Sequence, residues 1–78
     1  MAKRQGDVAM GYRMAEELSR LFPTQAMAAE RLGFERKSVF FWSCGTTPSA
    51  LALAKLHYCG GDVIYVLTGK RSVDYGEK

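Results

Sequence analysis

The stretch Gln25–Cys44, QAMAAERLGFERKSVFFWSC, reads as two short helices joined by a tight turn. Two helices that cross steeply through so short a turn need particular residue types at particular places. The first helix must be small where it touches the second, and Ala29 stands there. The turn must accept a positive φ, which glycine does without steric cost, and Gly33 stands there. Apolar residues must flank the turn and face inward, and Leu32, Phe34, Val39 and Trp42 fill those places. The spacing Ala29, Gly33, Val39, Trp42 is that of a helix-turn-helix.

Working outward, the motif is framed by further helices. Asp7 is a candidate N-cap, and Val8–Phe22 suits an amphipathic helix. Ala15, Leu18 and Phe22 share one face of it and Met14 and Leu21 widen that face, while Glu16, Glu17 and Arg20 lie toward the other side. Pro23 ends this helix, because the residue before proline is pushed out of α geometry. Thr24 is the next cap, for a helix Gln25–Leu32 closed by Gly33. A third helix spans about Arg36–Ser43, and Gly45-Thr46-Thr47-Pro48 breaks the pattern. Pro48-Ser49 opens a fourth helix from Ala50 to about Tyr58, which stops at Gly60-Gly61. Asp62 caps a last short helix, Val63–Leu67, ending at Thr68-Gly69. No strand pair emerges, and only Val63–Leu67 is β-branched enough to be mistaken for a strand. The expected fold is all-α, a compact bundle of about five short helices. Residues 1–6 read as a mobile N-terminal arm carrying Lys3 and Arg4, residues 7–69 as the domain, and residues 70–78 as a polar, frayed tail.

Composition narrows the function classes. With 78 residues, 47% hydrophobic and 24% charged, the chain has a single-domain globular profile. A net charge of +3 and a pI near 9.1 suit a polyanionic partner. No apolar run approaches the roughly 20 residues of a membrane span, and the N-terminus lacks a signal core, so a cytoplasmic setting is expected. Cys44 and Cys59 form no CxxC pair and read as two free thiols; a single disulfide is the alternative, though nothing else suggests export. Cys44, His57 and Cys59 make no tetrahedral metal set. Ser43, Cys44 and His57 have no orienting carboxylate for nucleophilic chemistry. Gly69-Lys70-Arg71-Ser72 lacks the upstream glycine spacing of a phosphate loop. The expectation is a non-enzyme without cofactor, metal or small-molecule ligand.

The marks Thr24-Gln25, Ala29, Leu32-Gly33, Phe34 and Trp42 resemble the Cro/CI-type helix-turn-helix family, the lambda-repressor-like DNA-binding domains that include phage repressors. Pro48-Ser49 and Asp62-Val63-Ile64-Tyr65-Val66-Leu67-Thr68-Gly69 resemble the downstream segments of that family, so the resemblance runs from about Ala15 to Arg71. It departs at Phe40 and Phe41, where members commonly carry polar residues, and at Cys44–Thr47, which lacks their basic residues.

The resemblance implies a transcriptional regulator, a Cro-like or CI-like repressor whose third helix enters the major groove of double-stranded DNA. Glu35, Arg36, Lys37, Phe40 and Phe41 then fall on the groove side. Arg36 suits a guanine edge, Lys37 a base or a phosphate, and Phe40 or Phe41 thymine methyls; core packing and a partner surface stand as alternatives for the two rings. Gln25 sits at a helix N-terminus that favours a phosphate, and Ser38 is a further donor. Val63–Leu67 is apolar on all sides. With Val63 and Leu67 turned inward, Ile64 faces outward with Tyr65 or Val66 beside it, as a homodimer contact on a near-palindromic operator. The competing reading is a protein-interaction module on the same fold, an antitoxin or a phage-encoded adaptor that binds a host protein.

Overall fold

Local capping chemistry sets the helix boundaries. In the computed structural model, which describes residues 8–72, five helices follow one another: α1 (Val8–Leu21), α2 (Gln25–Leu32), α3 (Arg36–Ser43), α4 (Ala50–Tyr58) and α5 (Val63–Thr68). No strand occurs among the described residues. Three helices start on a side-chain cap. The Met27 N–H donates to Thr24 Oγ1 at 3.1 Å, the Ala52 N–H to Ser49 Oγ at 3.1 Å, and the Tyr65 N–H to Asp62 Oδ1 at 3.0 Å. The expected arm at residues 1–6 and the Asp7 cap lie outside the described residues.

The turn between α2 and α3 closes as its sequence requires. Gly33 holds φ 80°, and the N–H groups of Gly33 and Phe34 both reach the Ala29 carbonyl, at 2.9 and 3.0 Å. The chain therefore reverses within three residues and sets α3 across α2. Leu32, Val39 and Trp42 close over the crossing, all buried, and Phe34 meets the Trp42 ring edge-on at 5.4 Å. Ala28 and Ala29 are buried beneath them, where a larger side chain would hold the helices apart.

α1 lies against α3 and α5 and completes the core with Met14 and Leu18, joined by Ala52, Leu56 and Val66. Gly11 makes this approach possible. A Cβ there would sit 2.5–2.8 Å from the Thr46 oxygen, the Gly45 carbonyl carbon and the Trp42 oxygen, all backbone atoms. The end of α3 thus rests directly on the α1 backbone.

Two expectations are corrected. Glu17 does not face outward with Glu16 and Arg20; it is fully buried. Its carboxylate accepts from Arg20 Nη2 at 2.5 Å, Arg71 Nη1 at 2.6 Å and the Asp62 N–H at 2.9 Å. Burial pushes against its charge, but the two guanidinium groups and the backbone N–H outweigh it and hold the carboxyl below its ordinary value. The second correction follows from the first. Residues 70–72 do not start a frayed tail, since Arg71 is clasped by Glu17, stacks 3.9 Å over the Tyr65 ring, and is followed by a Ser72 N–H that donates to Asp62 Oδ2. Residues 73–78 lie outside the described residues.

Candidate nucleic-acid interface

α3 has one buried side and one open side. Val39 and Trp42 point into the core, and Ser38 and Ser43 are half-buried beside them. The opposite arc carries Arg36, Lys37, Phe40 and Phe41, all exposed. Helical spacing puts Arg36 beside Phe40 and Lys37 beside Phe41, each pair four residues apart. The two cations therefore occupy the first turn and the two rings the next, about 6 Å further along the axis at 1.5 Å per residue.

The cations are available. Arg36 has no hydrogen bond or ion pair among the described residues. Lys37 Nζ lies 3.5 Å from Glu35 Oε1, with both side chains largely in solvent. Such an exposed pair is worth little and is readily exchanged for another anion. Glu35 stands at the N-cap of α3 in extended geometry, yet its side chain makes no cap hydrogen bond. The start of α3 therefore carries no side-chain cap over the Arg36 and Lys37 N–H groups, and that helix end bears a positive partial charge.

The other expected contacts are placed unequally. Gln25 is exposed at the first position of α2, next to the Thr24 cap and on the rim of a hollow of about 210 Å³ between the end of α1 and the start of α2. Ser38 is turned partly toward the core and is poorly presented as a donor. Phe40 and Phe41 are 52% and 49% exposed, which rules out the core alternative for both. Their ring centres are 6.0 Å apart at 54°, so each presents its own surface instead of stacking on the other.

At α5 the expected contact set is corrected. Val66 is fully buried and belongs to the core, so it cannot face a partner. Tyr65 is half-buried; its hydroxyl donates to Glu16 Oε1 at 2.5 Å, and that bond together with burial raises its pKa. Leu67, expected inward, is 43% exposed, and Ile64 is 49% exposed. The inward pair is Val63 and Val66, three residues apart, because α5 docks on both α1 and α4 and packs these two side chains against the core. Arg13 fixes the docking by donating from Nε to the Val66 carbonyl at 2.9 Å.

One surface was overlooked in the sequence although its signal was present. Leu51 and Tyr58 are exposed at 60% and 83%. With Ala54 they form an i, i+3, i+7 stripe on the side of α4 opposite Ala52 and Leu56. Tyr58 and Ile64 also line a shallow cleft of about 530 Å³ between α4 and α5. Cys44 is exposed and Cys59 half-buried, and they are not bonded to each other. No helix among the described residues is long and apolar enough to cross a membrane. In comparisons with known proteins, no family model, no curated protein and no solved structure matches the chain.

Proposed function

We propose that this chain is a sequence-specific double-stranded DNA-binding protein, a transcriptional regulator of the Cro-like or CI-like repressor kind on a lambda-repressor-like fold. The observation that carries the reading is the open face of α3. Two available cations, Arg36 and Lys37, stand in the first turn of a helix whose opposite side is locked into the core by Val39 and Trp42. A helix held so presents its N-terminal residues to a major groove while the exposed start of α2 meets the phosphate backbone. Arg36 is the residue suited to a guanine edge, and Lys37 exchanges Glu35 for DNA.

The regulator acts as a homodimer on a near-palindromic operator. One domain of this size offers few contacts, and a second half-site multiplies affinity through effective concentration. Ile64 and Leu67 supply the exposed apolar contact on α5, with Tyr58 across the cleft. A mobility shift against the DNA upstream of the coding region tests the function. Selective retardation that weakens as salt rises supports it. A mere sequence-independent smear, or no retardation, refutes it. The exposed Phe40–Phe41 pair is also compatible with a second reading, an adaptor or antitoxin that binds a protein, and recovery of one stoichiometric protein partner with no shift would support that instead.

A further inference from the structure

We infer that Phe40 and Phe41 make α3 a reader of the pyrimidine 5-methyl group, so that the protein distinguishes thymine from uracil and 5-methylcytosine from cytosine at its contacted positions. This rests on the proposed DNA binding through α3 and adds the chemistry by which that face selects sequence. The face offers few hydrogen-bonding groups. Beyond Arg36, Lys37 and the exposed Glu35 at its N-cap, its exposed arc is two phenyl rings with neither donor nor acceptor. A ring set against a guanine or an unmodified cytosine edge would desolvate N7, O6 or N4 without replacing the lost bond. Against thymine it meets a methyl group that also prefers to leave water.

The spacing suits this use. The ring centres are 6.0 Å apart, between one and two base-pair steps of about 3.4 Å. Phe40 and Phe41 thus reach methyl groups on pyrimidines one or two steps apart. The rings follow Arg36 and Lys37 by one helical turn, so the cations that attract the polyanion also bring the rings to the groove floor. That charge complementarity favours nucleic acid over a protein as the occupant.

The test uses the full chain and the duplex best retained from a randomised pool. Each thymine in that duplex is replaced singly by uracil, which removes one methyl group and leaves every pairing atom in place. Replacement at one or two neighbouring positions should weaken binding about fourfold each, the ~0.8 kcal/mol that burying one such group is worth. At the same positions, a 5-methylcytosine·guanine pair should bind about fourfold tighter than cytosine·guanine. Phe40→Ser/Phe41→Ser, both at exposed sites, should melt as the parent does and bind thymine and uracil duplexes equally. If the parent binds the selected duplex in a salt-dependent, selective way but ignores every uracil replacement, methyl reading is overturned and the proposed function stands. A methyl effect at thymine with none at cytosine overturns the extension to modified DNA. If no duplex is enriched from the pool, the DNA-binding reading falls and this inference with it.

Discussion

Glu17 keeps a charge in a place where an unpaired carboxylate would be strongly unfavourable. Its partners decide the outcome: Arg20 and Arg71 supply two guanidinium groups and Asp62 a backbone N–H. Its folded pKa lies below the unfolded value, so its stabilising contribution is full above the ordinary carboxylate range and is lost as pH falls through the folded pKa. Asp62 adds to the same dependence: burial opposes its charge, and the Ser72 and Tyr65 N–H groups with Arg71 outweigh it and lower its pKa. Glu17→Gln is expected to destabilise the chain at pH 7 by about 1–3 kcal/mol, the cost of leaving part-buried donors unmatched. Melts of parent and variant should begin to converge as pH falls through the ordinary carboxylate range, about 4.3, and go on converging below it as Glu17 protonates in the folded state. A gap unchanged over that range would show that the carboxylate charge is not its source. Gly33 offers a second test. Nothing lies within 4 Å of a Cβ built there, yet φ is +80°, so strain is backbone strain alone. Gly33→Val should cost about 1–3 kcal/mol, and Gly33→Asn distinctly less because asparagine tolerates left-handed geometry. Equal melting temperatures for the two variants would contradict this origin of the strain.

Between elements, the decisive approach is α1 over the end of α3 at Gly11. Alanine has the better helix propensity by about 1 kcal/mol. Gly11→Ala should nonetheless lower the melting temperature, because its Cβ would meet three backbone atoms that cannot swing aside. A stabilised variant would mean that α1 moves off α3 freely. This contact also shows what the sequence could and could not reveal. Helix ends were legible because Thr24, Ser49, Asp62 and Gly33 act on their own neighbours. The open face of α3 was legible because Val39 and Trp42 define its inner side within one helix. Gly11 was not, since its need for glycine arises from a chain segment more than thirty residues away. Glu17 was misjudged for the same reason: Asp62 and Arg71 are 45 and 54 residues distant. In α5 every position is apolar between Val63 and Leu67, so its pattern left the buried edge undecided. Docking on α1 and α4 selected Val63 and Val66.

For the whole molecule, the proposed DNA binding requires that one small domain gain affinity and choice of sequence. Two copies joined through Ile64 and Leu67 would set their α3 helices in successive major grooves, about 34–36 Å apart. Ile64→Asp/Leu67→Asp changes only exposed positions and should leave the fold intact. Sedimentation should show this variant as a monomer at concentrations where the parent is a dimer, and footprints should contract to one half-site. A variant that still protects both half-sites would remove α5 from the dimer contact. The central claim, that α3 binds DNA through Arg36 and Lys37, is tested most directly by anisotropy titration of the parent and of Arg36→Ala/Lys37→Ala against a selected and a scrambled duplex at several salt concentrations. The parent should prefer the selected duplex by about 10³-fold or more. The double variant, melting like the parent, should lose most of that preference and show a shallower salt slope, by about one unit for each phosphate contact removed. A double variant that keeps the parent's affinity, preference and salt slope would contradict recognition through α3.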